Sequence, residues 1–271
     1  MKFLFNLLIL ALLLSGCATS PTGRSQLMLV SPEQAIVGSR EAYTQTIQPL
    51  EKKGKINSNP VVSDRVETIT GRIISQAIEL YPHTRNWDWS IKVIDDPEMI
   101  NAWCMAGGKM AIYTGLLNKV DPTDDELAQV LAHEISHALA NHTAERMSVA
   151  MASQLGVMGI GIATRNSDYG RTALTGSALA AALAIQLPNS RASETEADIM
   201  GLELAARAGY DPRAAATLWQ KMEKAGGSGP AEFLSTHPSP GNRQNTLKMA
   251  APEYMVLYLD PKSRPVYQFN D

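Results

Sequence analysis

The sequence predicts an α+β protein that is mostly helical and contains one small antiparallel sheet. Three observations support this fold class: long stretches with apolar residues at helical spacing, an alternating run at Trp89–Val93, and the pair Gly107-Gly108 between two apolar segments. The 271 residues, 45% of them hydrophobic and 19% charged, are sufficient for one domain with its own core. The net charge of −3 argues against nucleic acid as a partner.

The chain begins with a segment that has the proportions of a secretory signal peptide. The apolar run Phe3–Leu14 is too short to span a membrane, and it leads into Leu14-Ser15-Gly16-Cys17, which resembles a bacterial lipobox. We therefore expect residues 1–16 to be removed and Cys17 to carry lipid. The alternative is an ordinary signal peptide with a small-residue cleavage site.

The residues after the cleavage site predict where the domain lies. Residues 17–25 are rich in Thr, Pro, Gly and Ser and are typical of a flexible tether, which leaves residues 26–271 as a single domain. Ala18-Thr19 is not the aspartate-type signal that retains lipoproteins in the inner membrane. We expect a lipid-anchored protein of the bacterial envelope, on the outer membrane and facing the periplasm.

The rest of the chain divides into helices and a few strands. Gly107-Gly108 predicts a hairpin between Ile100–Met105 and Met110–Thr114. Beyond Tyr254 the sequence alternates around Pro261, which predicts either a strand or a docked tail. Helical spacing is found at Glu33–Leu50, Val61–Tyr81, Leu202–Ala208 and Pro212–Ala225.

The motif His133-Glu134-Ile135-Ser136-His137 lies within a further helical stretch. Thr123 and Glu126 match a capping box at its start, and helical spacing continues to about Met147. Two histidines four residues apart share one helix face and can bind one metal ion, while Glu134 can act as a general base on water. The alternative is a buried helix whose histidines only hydrogen-bond to their neighbours.

A second acidic segment, Glu194–Asp198, can supply the third protein ligand that a catalytic zinc site needs. Glu194 and Asp198 are four residues apart and share a helix face, so Glu194 can bind the metal while Asp198 accepts a hydrogen bond from a ligand histidine. On its own the segment is more typical of the acidic start of a solvated helix. Together with His133 and His137 it indicates one zinc ion per chain.

Four motifs occur together between Asn101 and Arg243, within a stretch from roughly Val61 to Arg243 that resembles one known family. They are H-E-x-x-H at residues 133–137, the acidic segment with Ser190-Arg191 before it, Asn101–Cys104 followed by Gly107-Gly108, and His237–Arg243. In combination they resemble the HtpX-like zinc metalloproteases, which include the CAAX prenyl endopeptidases, and most of all the small bacterial lipoprotein peptidases among them. The resemblance implies a gluzincin-type core, in which the edge strand of the small sheet lines the cleft.

The resemblance also implies a role for each residue at the metal. Glu134 would be the general base and acid, and Asp198 would orient a ligand histidine. The zinc ligands would be His133, His137 and Glu194.

Two residues near the C-terminus have alternative roles. His237 would lie near the metal, where it stabilises the oxyanion or occupies the open coordination site; otherwise it is a turn residue before Pro238. Arg243 would stabilise the tetrahedral intermediate or merely pair with a surface carboxylate.

An extended substrate would pair with the edge strand of the small sheet. The residues of this strand segment are Asn101, Ala102, Trp103 and Gly107.

Three further features are not assigned to the metal ligands: the apolar segment at residues 148–187, the thiol of Cys104, and the histidines His142 and His83. Residues 148–187 are rich in Ala and Gly, and each apolar half is short of the roughly 20 residues of a membrane helix, so we expect core helices and a Gly-rich loop near the active site. With lipid on Cys17, Cys104 is the remaining thiol, and burial is its default. His142 is expected to be a core or helix-surface histidine and His83 a loop residue.

The sequence therefore predicts a lipid-anchored zinc endopeptidase of the bacterial envelope. Its expected substrates are unfolded or misassembled envelope proteins, with the membrane and the envelope assembly machinery as further partners. The alternative, from another functional class, is a zinc-bound assembly factor or chaperone whose protease activity is latent or is capped by His237.

Overall fold

The computed structural model describes residues 17–163, 191–226, 232–237 and 243–269. The expected signal peptide and residues 164–187 of the apolar segment lie outside the described residues. The strands are β1 (Cys17–Thr19), β2 (Ser25–Leu27), β3 (Ser90–Ile94), β4 (Ala102–Met105) and β5 (Lys109–Tyr113). The α-helices are α1 (Pro32–Glu51), α2 (Pro60–Leu80), α3 (Asp124–Leu139), α4 (His142–Ala163), α5 (191–207), α6 (Ala214–Ala225), α7 (Glu232–Thr236) and α8 (Arg243–Tyr258). A short 3-10 helix, Pro82–Asn86, and a short π-helix, Leu116–Val120, lie between them.

The first described residues form a docked hairpin where the composition predicts a flexible tether. β1 pairs antiparallel with β2, with Cys17 opposite Leu27. Gln26 is buried, and its Nε2 donates to the carbonyl oxygen of Ala140 at 2.8 Å. Polar rather than apolar side chains attach the hairpin to the domain. A flexible linker is also rich in polar residues, so the composition of residues 17–25 does not predict that this segment docks.

Helices α1 and α2 begin at side-chain caps and lie within one or two residues of their predicted bounds. Ser31 and Gln34 form a capping box at the start of α1, and Asn59 accepts from the first backbone N–H groups of α2. Helix α2 then buries an apolar stripe in the main core, which includes Val66, Ile69, Ile73 and Ala77.

The central sheet is mixed rather than wholly antiparallel. Its strand order is β3-β5-β4, with β4 antiparallel and β3 parallel to β5. The predicted hairpin between β4 and β5 is confirmed, and Gly107 and Gly108 in its turn both have a φ of 84°. A Cβ at Gly108 would lie 2.4 Å from Trp89 Cε3. Strand β3 reaches β5 through a crossover that contains β4, and the alternation of apolar residues does not encode that long-range pairing.

The sheet lies between two groups of helices. Ile91 and Ile112 face the main core with residues of α2 and α3. Ile94 and Ala111 face the opposite way and pack on Ile47 of α1. Strand β4 is at the sheet edge and contacts α3. The edge predicted to bind substrate therefore lies beside the helix that carries the histidine motif.

Helix α3 begins as predicted and ends earlier than the sequence indicates. Thr123 and Glu126 form both halves of the capping box. The helix ends at Leu139, and Asn141 has a φ of 56° before α4 begins at His142. The prediction of one continuous helix to Met147 is therefore wrong. Asparagine adopts the left-handed conformation more readily than most residues, and here it breaks the helix in two.

The C-terminal residues close the core. Helices α6 and α8 pack against each other, and the chain after α8 docks on α2 without regular structure. Tyr267 N–H donates to the carbonyl oxygen of Gly71 at 3.0 Å, and a Cβ at Gly71 would lie 2.7 Å from Val266 Cγ1. The docked tail is thus confirmed as far as residue 269.

Two further predictions can be compared with the structure. Cys104 is buried, as expected. Among the described helices none has both the length and the apolar character needed to cross a membrane.

Candidate metal centre

The two histidines of α3 lie on one buried face of the helix. His133 is 4% and His137 3% exposed, and their Nε2 atoms are 3.0 Å apart. The spacing of four residues directs both rings to one point, as the motif predicts. Burial holds the pKa of His137 well below its ordinary value. Its imidazole is therefore neutral, which is the form that binds a metal ion.

Helix α5 crosses α3 at close range and brings Glu194 to the histidines. The Oε2 atom of Glu194 is 3.3 Å from His133 Nε2, and its Oε1 atom is 3.4 Å from His137 Nε2. The approach depends on Gly201, because a Cβ there would lie 3.1 Å from the backbone nitrogen of His133. Burial raises the pKa of Glu194, but hydrogen bonds to the histidines hold it well below its ordinary value, so this carboxylate is ionised.

His237 follows α7 and completes the cluster. Its Nδ1 is 3.1 Å from Glu194 Oε2 and 3.3 Å from His133 Nε2, and its ring stacks on Phe233 with 4.4 Å between centroids. At 7% exposure it is not a surface turn residue. One potential ligand atom from each of four residues lies within 4.8 Å of the others: His133, His137, Glu194 and His237.

The donor set suits a divalent transition-metal ion. Imidazole nitrogens and a carboxylate oxygen are the ligands that zinc takes in four-coordinate sites. The surrounding carboxylates also favour a positive charge at this point. Burial lowers the pKa of His133, but hydrogen bonds to Asp198 and Glu194 more than offset that effect and raise it to about 9. The residues present therefore fit a bound cation.

Glu134 lies beside the cluster and is not part of it. The residue is 2% exposed, and its Oε1 is 3.4 Å from His237 Nε2 but accepts no hydrogen bond from any described residue. Burial raises the pKa of Glu134, and the neighbouring imidazoles of His237 and His133 partly oppose this effect. A buried carboxylate with an open lone pair can accept a proton from a water molecule.

The outer side of His133 is held by Asp198 and Arg243. Asp198 Oδ1 is 3.0 Å from His133 Nδ1 and 2.5 Å from Arg243 Nη2. Because Nε2 of His133 faces the other ligands, its Nδ1 carries the proton and donates to Asp198, as the sequence predicts. The guanidinium carbon of Arg243 lies 3.6 Å from the Trp219 ring centroid and the residue is 5% exposed, so it does not form a surface ion pair.

The outer side of His137 has a partner that the sequence analysis missed. His142 is a buried histidine, as expected, but its Nδ1 is 2.7 Å from His137 Nδ1 and its Nε2 is 3.0 Å from Glu196 Oε2. Glu196 in turn accepts from Arg24 Nε at 2.8 Å. Asn141 is the sequence signal for this arrangement, because the helix break there returns His142 to the ligand.

The predicted substrate strand presents its main chain at the sheet edge. Ala102 is buried in the core, while Trp103 packs against Tyr43 of α1 with ring centroids 6.0 Å apart. Asn101 precedes β4, and Gly107 lies in the hairpin turn. The side chains of β4 are thus used in packing. Its main chain is the part that an added strand would pair with.

Comparison with known proteins agrees with this geometry. Residues 58–251 match the model of peptidase family M48. The mitochondrial metalloendopeptidase OMA1 of Arabidopsis thaliana is 38% identical over 186 residues, which cover 68% of this chain and 36% of that protein. The corresponding protein of Bos taurus is 34% identical over 263 residues, covering 93% of this chain and 49% of the relative.

A bacterial relative is also similar. The β-barrel assembly-enhancing protease of Escherichia coli strain K12 is 29% identical over 204 residues, covering 73% of this chain and 40% of that protein. The chain therefore spans between about a third and a half of the length of these relatives.

Proposed function

This chain belongs to peptidase family M48, and on that premise we propose that it is a zinc-dependent endopeptidase with one zinc ion per chain. The observation that carries the proposal is the buried cluster of His133, His137 and Glu194, with the carboxylate of Glu134 directly beside it. Two histidines, a glutamate and an adjacent general base are the parts that metal-assisted peptide hydrolysis requires.

The residues of the centre divide the work of hydrolysis. Zinc, when bound, supplies a Lewis acid that polarises a peptide carbonyl and makes water more acidic. Glu134 takes the proton from the attacking water and delivers it to the leaving amine. Asp198 keeps the proton of His133 on Nδ1, so that Nε2 stays directed to the metal. Arg243 holds Asp198 in place from a buried position.

The proposed substrates are unfolded or misassembled proteins of the bacterial envelope. An unfolded segment can add to the edge of a sheet through its main chain, and strand β4 offers such an edge beside α3. Recognition through the main chain requires an extended substrate and few particular side chains. This property suits quality control better than cleavage at one sequence.

The central test compares the full-length wild-type chain with Glu134→Gln. We expect equal zinc content in the two proteins, because no ligand changes, and a loss of unfolded-casein cleavage of roughly 10²- to 10⁴-fold, because the general base is removed. Glu79→Gln, an exposed change on α2, is the matched control and should cleave at the wild-type rate. Cleavage by Glu134→Gln at the wild-type rate would contradict the proposal.

A second candidate function is a zinc-bound envelope assembly factor with capped protease activity. The observation in its favour is His237, which lies where a fourth ligand would and is within 3.4 Å of Glu134. The Escherichia coli relative is named for enhancing β-barrel assembly as well as for proteolysis. Complementation separates the two functions: rescue of an envelope defect by Glu134→Gln as complete as by wild type would favour the assembly factor.

We further propose that the protein is anchored by lipid on Cys17 to the outer membrane and faces the periplasm. The lipobox-like sequence before Cys17 and the exposure of this residue at the start of β1 support the proposal. The wild-type protein should incorporate labelled palmitate and Cys17→Ser should not, as judged by metabolic labelling and blotting. A wild-type protein that takes up no label, or a Cys17→Ser protein that is labelled equally, would refute the anchor.

A further inference from the structure

We propose that the N-terminal hairpin, residues 17–27, supports the metal centre. Arg24 of this hairpin positions the ligand His137 through Glu196 and His142. The inference rests on the metal site of the proposed function and concerns residues outside it. Arg24, Glu196 and His142 are positioning residues, because none of them lies in the ligand cluster.

The chain of contacts has one consistent direction. His137 directs Nε2 at the other ligands, so its proton lies on Nδ1 and is donated to His142 Nδ1, 2.7 Å away. The proton of His142 is then on Nε2, which donates to Glu196 Oε2 at 3.0 Å. Arg24 Nε donates to the same oxygen at 2.8 Å. Each donor meets an acceptor, so the position of Arg24 determines how His137 presents Nε2.

Arg24 is fixed by a second buried carboxylate. Its Nη1 and Nη2 atoms donate to the two oxygens of Glu145 at 2.7 and 2.6 Å, while Nε donates to Glu196. Glu145 is 2% and Glu196 5% exposed. Two buried carboxylates close together need a cation between them, and the planar guanidinium can serve both at once. A lysine at this position has a single nitrogen and cannot keep all three contacts.

The hairpin also holds the corner between α3 and α4, from which His142 projects. Gln26 Nε2 donates to the carbonyl oxygen of Ala140 at 2.8 Å and to Glu145 Oε2 at 2.9 Å. Four residues after Gln26, the chain that leaves the hairpin donates from Val30 N–H to Ser148 Oγ. The segment next to the proposed lipid site therefore contacts both sides of the helix break.

The test measures zinc affinity of the full-length protein by competition with a chromophoric chelator, and coordination geometry from the visible spectrum of the cobalt-substituted form. Arg24→Gln and His142→Ala should each weaken zinc binding about 10-fold or more and shift the cobalt spectrum. His142→Asn should restore part of the affinity, because its side-chain oxygen can accept from His137. Arg24→Lys should fall between wild type and Arg24→Gln.

The controls separate positioning from a general loss of stability. Arg65→Gln removes an ion pair to Asp124 at the far end of α3 with the same change of charge, and should leave zinc affinity within about twofold of wild type. The double variant Arg24→Gln/His142→Ala should bind zinc no more weakly than His142→Ala, because both changes act through one contact. Additive effects, or wild-type affinity in folded Arg24→Gln, would overturn the proposal.

If Arg24→Gln folds poorly, two milder comparisons test the same proposal. His142→Asn should bind zinc more tightly than His142→Ala, and Arg24→Lys should bind zinc more weakly than wild type. All readouts are independent of peptide cleavage. If zinc affinity does not depend on Arg24, the proposed hydrolysis is not contradicted. If the protein does not hydrolyse peptides, the zinc affinities still test the role of Arg24.

Discussion

At the residue scale, each histidine of α3 is connected by hydrogen bonds to a carboxylate and an arginine. His133 contacts the carboxylate of Asp198 directly, whereas His137 reaches the carboxylate of Glu196 through a second histidine, His142. Asp198 follows Glu194 by one helical turn, so a local pattern reveals the direct route. The other route joins Arg24 to Glu196 across 172 residues, and only the folded chain brings them together.

The position of His237 leads to a prediction about access to the metal. Because its Nδ1 lies 3.1 Å from Glu194 and 3.3 Å from His133, we expect it to occupy the coordination position that water or substrate would use. His237→Ala should therefore increase kcat/KM for an unfolded casein peptide several-fold while zinc content stays the same, since three ligands remain.

The matched control for this experiment is His83→Ala, an exposed histidine outside the centre, which should leave kcat/KM unchanged. A fall of more than tenfold in His237→Ala with zinc retained would instead assign His237 to stabilisation of the oxyanion.

At the element scale, the break between α3 and α4 determines which residue reaches the ligand. A continuous helix would carry His142 away from His137, because five residues are about one and a half turns. The left-handed conformation at Asn141 folds the chain back and allows the contact between the two rings.

This geometry predicts the effect of substitutions at Asn141. A side chain with a Cβ is strained at a φ of 56°, whereas glycine is not. Asn141→Ala should therefore be about 1 kcal/mol less stable than Asn141→Gly, as measured by urea unfolding at neutral pH. Equal stability of the two variants would show that the turn imposes no strain.

At the scale of the whole molecule, the metal centre joins parts of the chain that are far apart. The cluster takes its members from α3, from α5 and from the residue after α7. A bound ion therefore stabilises the folded protein as a whole.

We expect thermal stability to depend on free zinc. Each tenfold increase in zinc above the dissociation constant should add about 1.4 kcal/mol to the free energy of unfolding, and a chelator should lower Tm. Glu134→Gln should behave like wild type, whereas His137→Ala should lose the dependence over the same zinc range. A wild-type Tm that does not respond to zinc or chelator would contradict the linkage.

Local patterns account for what the sequence could predict. The capping box at Thr123, the four-residue spacings of the ligands and the glycine turn of the hairpin each act within a few residues, and each is found in the structure. The parallel pairing of β3 with β5 and the docking of the hairpin depend on distant partners. The polar composition of residues 17–25 fits a linker and a docked hairpin equally well.

The order of the cluster residues along the chain also sets the order in which they reach the proposed periplasmic location. A chain exported from its N-terminus delivers the histidines of α3 first, then Glu194, and then His237, 43 positions after Glu194. The three ligands can therefore meet on a metal ion before His237 arrives. We expect the newly exported chain to pass through a stage at which the centre is assembled and open.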